Sequence, residues 1–155
     1  MNAVQVKSGD LIYLLGETYQ ELGASELVSM LQDETGGGIG GNVPEIDAPR
    51  NLAMYRSLTS AMRGKLVASA HDCSDGGLAT AFAEACFGAD VGAFIDISGI
   101  SSCDELNKWG TLFGESLGRI LVSVKPVNSE KFEDFMAGHK FTQLGLVGIT
   151  DEIHI

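Results

Sequence analysis

A chain of 155 residues, 45% hydrophobic and 20% charged, has the length and composition of one globular domain with its own core, which excludes wholesale disorder. Its formal net charge of −11 argues against nucleic acid and against an anionic membrane surface, because both are bound through clustered Lys and Arg. No apolar run approaches the ~18 residues of a membrane span, and the stretch MNAVQVKSGD shows no signal peptide. Three scattered cysteines, Cys73, Cys86 and Cys103, read as reduced thiols in a cytoplasmic protein.

In chain order, residues 10–16, DLIYLLG, predict a buried strand ended by glycine. Ser25 is placed to cap a helix in which Leu27, Met30 and Leu31 repeat at spacings of three and four, stopping near Gly36. The glycine-rich stretch GGGIGG at 36–41 suits neither helix nor strand and reads as a surface loop, and no Lys-Ser/Thr pair follows as a P-loop requires. Asp47 as N-cap and Pro49 in the first turn start a second helix, with Leu52, Tyr55, Leu58 and Met62 along one face. KLVASA at 65–70 predicts a strand running into His71. Beyond Gly76 and Gly77, the residues Leu78, Ala81, Phe82, Ala85 and Cys86 form a helical stripe closed by Gly88.

Further strands are predicted at 92–97, 119–124, 143–149 and 152–155, the last two nearly contiguous. Helices are predicted at about 103–110 and 129–138, the latter capped by Asn128 or Ser129. Strands and helices interleave along the whole of 1–155. This pattern predicts a single α/β (α+β) domain, a mixed sheet packed with helices.

The segment 71–77, HDCSDGG, concentrates the chemistry. In one reading Ser74 or Asp75 only caps the following helix, the glycines turn the chain, and His71 and Asp72 are solvated. In the other, the same strand-to-helix turn admits a phosphate at the backbone N–H groups, with Asp72 or Asp75 recruiting a cation. A Ser-His-Asp hydrolase would need Ser74 on a G-x-S-x-G elbow, which is absent, and no Cys or His spacing suits zinc. A Cys73–His71 pair is somewhat better placed, since residues two apart on an extended strand share a face, but that spacing does not require them to touch.

The stretch LFGESLGR at 112–119 is a second constellation. It is either a surface turn with a local Glu–Arg pair or a partner of the first, in which Arg119 counters a phosphate and Glu115 binds a cation. Trp109 reads as partly core, and His139 and His154 as surface residues. GASE at 23–26 reads as a turn and cap.

Four segments together, GDLIYLLGETYQELGASEL, VPEID, AHDCSDGGLATAFAEACFGADVGAFIDI and LFGESLGRILVSV, resemble the phosphoribosylformylglycinamidine (FGAM) synthase family. The resemblance is to the last domain of the synthetase subunit, in the second of its two repeated halves. It runs from about residue 7 to 155, and the wider superfamily includes AIR synthase and selenophosphate synthetase. It implies an AIR synthase C-terminal domain-like fold and part of an ATP- and glutamine-dependent C–N ligase of purine biosynthesis.

By this resemblance Asp72 is a Mg²⁺ ligand, and Ser74, with Gly76 and Gly77, contacts an auxiliary ATP or ADP. Glu115, Ser116 and Arg119 then face substrate by pseudo-symmetry with the first half. The implied partners are the remaining domains of the synthetase subunit and a glutaminase subunit or domain, with a second copy of the chain as a further partner through exposed apolar surface. Two departures from the family pattern are Ala24 in GASE, where the family often has GGSE, and Gly118 where it has serine. The ATP-binding domains with their catalytic histidine are not in this sequence, so the chain is expected to be inactive alone, with no catalytic residue of its own.

Overall fold

The computed structural model describes residues 6–35, 41–100 and 107–155. Cys103, most of the glycine stretch and the first half of the helix predicted at 103–110 lie outside them. Within the described residues, six strands form one sheet: β1 (Leu11–Leu15), β2 (Val67–Asp72), β3 (Ala93–Ile95), β4 (Ile120–Val124), β5 (Phe141–Val147) and β6 (Ile153–His154). The order is β2-β4-β1-β5-β3-β6, and every pair is antiparallel except β3–β6. The sheet is therefore mixed, as predicted. β5 and β6, close in sequence, are held apart by β3.

Five helices flank it: α1 (Glu26–Thr35), α2 (Ala48–Arg63), α3 (Gly77–Ala89), α4 (Lys108–Phe113) and α5 (Ser129–Met136). Alternation along β1 splits its side chains between two cores. Ile12 and Leu14 pack with Leu78, Phe82 and Cys86 of α3, whereas Tyr13 and Leu15 pack with Met54 and Leu58 of α2 and with Phe132 and Met136 of α5. Because both faces are covered, this strand reads as a continuous apolar run.

Several local expectations hold. Asp47 Oδ1 accepts the Arg50 N–H at 3.0 Å to cap α2, and the buried Ser25 Oγ accepts the Val28 N–H at 3.3 Å to cap α1. Others are corrected. α2 buries Asn51, Met54, Leu58 and Ala61, leaving Leu52, Tyr55 and Met62 of the predicted stripe exposed. Two apolar sets share that helix, and only the position of the sheet selects one. Met30 and Leu31 of α1 are likewise exposed.

α3 passes Gly88 and closes on Asp90, whose left-handed φ of 54° lets its N–H reach the Cys86 and Phe87 carbonyls. Neither Asn128 nor Ser129 caps α5 through its side chain. The Asn128 amide donates to the Lys65 and Leu66 carbonyls, and the Ser129 hydroxyl donates to Pro126 O. β5 begins and ends two residues earlier than predicted. α4 starts at Lys108, where Asn107 Oδ1 accepts the Trp109 and Gly110 N–H groups, and Trp109 is half exposed, stacked on Phe113.

The second core contains a titratable group. Tyr13 is fully buried, tilted against Phe132, and its hydroxyl donates to Glu133 Oε1 at 2.7 Å. Burial first, and then this bond to a carboxylate, holds the phenol well above its usual value of 10.0. Its folded-state value is raised, so its contribution to stability is complete below the unfolded value and is lost as pH rises beyond it. Urea denaturation across this alkaline range should show the natural chain losing stability with pH more steeply than Tyr13→Phe. Parallel pH profiles for the two would remove the assignment.

Candidate functional site

β2 lies at one edge of the sheet and pairs antiparallel with β4, setting His71 opposite Leu121 and Asp72 opposite Ile120. This pairing brings the segment entering β4, residues 112–119, beside the turn leaving β2. The Cys73 N–H, donating to Arg119 O at 3.0 Å, extends the ladder by one rung. A cleft of about 610 Å³ opens at this junction, lined by Pro44, Tyr55, Leu58, Asp72, Ser74, Asp75, Glu115 and Leu117. The two constellations do converge.

Asp72, Ser74 and Asp75 are exposed on the cleft, while Cys73, Gly76 and Gly77 are buried beneath it. The Ser74 hydroxyl donates to the Asp72 carboxylate, and this bond, with a further backbone bond, holds the carboxyl below its ordinary range. Asp72 is thus an ionised acceptor at neutral pH. His71 Nε2 pairs with Glu84 Oε2 at 3.0 Å, on an exposed edge. Burial pushes the Cys73 thiol up to about 11, which leaves no thiolate to act as nucleophile.

The start of α3 is capped in an unexpected way. Gly76 adopts φ +77°, where a Cβ would also collide with Thr80, so only glycine fits this turn. Neither Ser74 nor Asp75 caps the helix. The Gly76 N–H instead donates to Glu115 Oε1 at 2.8 Å, and the Gly77 N–H donates to Ser74 O at 3.0 Å. The same Glu115 oxygen accepts the N–H of Glu26, the first residue of α1, at 2.9 Å. Unpaired N–H groups and the helix dipole both favour a carboxylate at such an end, and Glu115 serves two ends at once. Gly76 and Gly77, expected to offer donors to a nucleotide, have both committed them to protein acceptors. They contribute the shape of the turn.

Ser116 and Arg119, expected to face substrate, are both buried, Arg119 among the residues that line the cleft. Ser116 is fully buried, and its Oγ accepts the Tyr19 N–H at 3.0 Å. Arg119 is 1% exposed, and its guanidinium donates to Gly114 O, to Thr18 Oγ1 at 3.4 Å and to Thr111 O at 3.5 Å. Burial lowers its affinity for the proton. It organises the loop behind the cleft.

The segment following β1 ties this loop to the chain on its other side. The Glu115 N–H donates to Glu21 O at 3.2 Å, the Glu45 N–H donates to Glu21 Oε1 at 3.0 Å, and the Gly23 N–H donates to Asn42 O at 2.8 Å. Glu21 itself is buried, with Oε2 unpartnered. None of this was signalled by local spacing, since GASE marks only the cap at Ser25. Among the described residues no group of three His, Cys, Asp or Glu could hold a metal. Asp72 offers one carboxylate. That suits Mg²⁺, which binds through one or two carboxylates together with ligand phosphates rather than in an all-protein cage.

A mixed sheet covered by helices, with an acid–hydroxyl–diglycine turn where β2 meets α3, defines an α/β domain whose cleft opens at a sheet edge. Residues 7–153 match the family described as AIR synthase related protein, C-terminal domain, and the chain belongs to that family. It is 38% identical over 148 residues to the phosphoribosylformylglycinamidine synthase subunit PurL of Trichormus variabilis, a match covering 92% of this chain and 18% of that protein.

Two solved structures of PurL from Thermotoga maritima share the fold. The complex with FGAR superposes with a TM-score of 0.79 at 17% identity, covering 96% of this chain and 25% of that one. The complex with ATP gives 0.67 at 17% identity, covering 97% and 23%. No helix among the described residues is long and apolar enough to cross a membrane.

Proposed function

We propose that this chain is the C-terminal domain of a PurL-type synthetase, a ligase that uses ATP and glutamine-derived ammonia to form FGAM in the cytoplasm. In that enzyme an amide oxygen is phosphorylated and ammonia then displaces the phosphate. The domain's part is to close one side of a magnesium–nucleotide cleft. The observation that carries this reading is the exposed Asp72–Ser74 pair at the mouth of the cleft, on a domain that is 38% identical to a PurL subunit. PurL from Thermotoga maritima, a protein of this fold, has been solved with ATP bound.

Asp72 would hold Mg²⁺, with Ser74 fixing the carboxylate's orientation through its hydroxyl. Bound there, the ion neutralises phosphate charge. Pro44, Tyr55, Leu58 and Leu117 supply the apolar side of the same cleft. The buried Arg119 and Ser116 keep the 112–119 loop in place behind it. The remaining domains of the synthetase subunit and a glutaminase are the partners this reading requires, and the exposed apolar side chains of α2 are where another domain or a second copy would pack.

Calorimetric titration of the assembled synthetase with Mg-ADP tests the assignment. Asp72→Asn should weaken binding by about tenfold or more, the loss of one charged ligand. Unchanged affinity in that variant would overturn the role given to Asp72.

A further inference from the structure

We propose that a second cleft, beside the 42–47 segment, is a socket for a basic side chain from another part of the synthetase. The inference rests on the PurL-type reading above and goes beyond it. This cleft, of about 540 Å³, is lined by Tyr19, Glu21, Val43, Glu45, Ile46 and Arg50. Pro44, between Val43 and Glu45, lines the first cleft instead. The segment is fixed where it passes Glu21. The Glu45 N–H donates to Glu21 Oε1 at 3.0 Å, and the Gly23 N–H donates to Asn42 O at 2.8 Å. A Cβ on Gly23 would stand 2.6 Å from Gly41 O, so only glycine permits this approach.

Glu21 is the group that calls for an occupant. It is 7% exposed, lines the cleft, and leaves Oε2 with no hydrogen-bond partner among the described residues. Arg119 acts on its charge electrostatically, yet its Nη1 and Nη2 groups serve Gly114, Thr18 and Thr111. A buried carboxylate oxygen needs a donor, and a charged donor makes the stronger bond.

The rest of the lining selects the class of donor. Glu45 and Asp47 add negative charge, while Arg50, the cation among the lining residues, is paired with Glu17 at 2.9 Å and Asp47 at 3.6 Å. The excess attracts a cation. Among the described residues no group of three His, Cys, Asp or Glu could hold a metal, which favours a nitrogen cation. Val43 and Ile46 are 60% and 68% exposed beside these carboxylates. A methylene stem lies along such apolar walls while its charged head reaches Glu21, whereas an inorganic cation gains nothing from them. A guanidinium, planar and weakly hydrated, fits a buried carboxylate better than an ammonium. This chain matches 18% of its PurL relative, so most of such a synthetase lies beyond this domain and supplies the side chain.

An experimental structure of the assembled synthetase tests this directly. A nitrogen of an Arg or Lys from outside this domain should stand within hydrogen-bond distance of Glu21 Oε2. Water, a metal ion or a free amine in that place overturns the proposal. Carboxyl labelling with a carbodiimide and glycine ethyl ester gives a readout in solution. Glu21→Gln keeps an acceptor for the Glu45 N–H and removes the charge. In the assembled synthetase it should speed labelling of Glu45 and Asp47 by about tenfold, the loss of one charge-assisted hydrogen bond. Unchanged labelling overturns the proposal as well. A synthetase that assembles and binds Mg-ADP with no basic side chain at Glu21 removes this inference alone. A chain recovered without any further synthetase domain or subunit removes the PurL-type reading with it.

Discussion

Replacing Arg119 by methionine is expected to lower folding stability by about 3–5 kcal/mol, the largest single-residue effect away from the apolar cores. The guanidinium is 1% exposed and donates to Gly114 O, Thr111 O and Thr18 Oγ1. Removing it leaves buried acceptors without a donor, each costing about 1–3 kcal/mol. It also strips the compensating charge from Glu21, a buried carboxylate whose Oε2 has no partner. Arg119→Lys should recover only part of the loss, because an ammonium cannot reproduce the planar fork that spans these acceptors. Adding Glu21→Gln to Arg119→Met should restore some stability by removing the uncompensated charge, a coupling that a double-mutant cycle measures. Urea denaturation reads the natural chain, Arg119→Lys, both single variants of the cycle and the double variant. A loss below about 1 kcal/mol for Arg119→Met would place the residue among dispensable contacts.

The second large effect is at Gly77. Its φ of +67° is in the left-handed region, and a Cβ there would stand 2.5 Å from Gly114 O and 2.9 Å from Leu112 O. Both obstacles are backbone, so the substitution must drive α3 away from the loop that carries Glu115. Gly77→Ala should cost about 2–4 kcal/mol, combining the backbone penalty with that displacement. It should also weaken ligand binding at the cleft. Gly88 provides the contrast within the same helix: a Cβ there meets nothing within 4 Å. Gly88→Ala should stabilise by about 0.5 kcal/mol through helix propensity. Thermal unfolding of the two variants gives opposite signs if the space around each glycine decides. A neutral Gly77→Ala would show that the turn and loop yield easily.

The candidate site was partly legible before folding. The turn at 71–77 was recognisable because acids, a hydroxyl and a glycine pair lie within seven residues between an apolar strand and an apolar helix. The stretch 112–119 stood out for Glu115 and Arg119 between glycines, with no means of telling whether it met the turn. The burial of Ser116 and Arg119 was not legible, because residue type does not reveal burial. Arginine is seldom buried, yet Arg119 lies beneath a loop whose carbonyls use its donors. The helix stripe on α2 had the right period and the wrong phase, since two apolar sets occupy one helix and the sheet selects between them.

What the sequence determined by itself is the set of properties fixed by near neighbours in the chain. These are apolar runs that make buried strands, the caps at Ser25 and Asp47, the interleaving that requires a mixed α/β sheet, and the acidic turn. The tertiary structure alone decided what depends on partners far along the chain. The pairing of β2 with β4 brings 112–119 to the turn. It also lets one oxygen of Glu115 bond N–H groups 39 and 89 residues away. Periodicity and capping act within a few residues, so they can be read locally. A donor's acceptor across the sheet is chosen by strand order, and strand order is set by the burial of the whole chain at once.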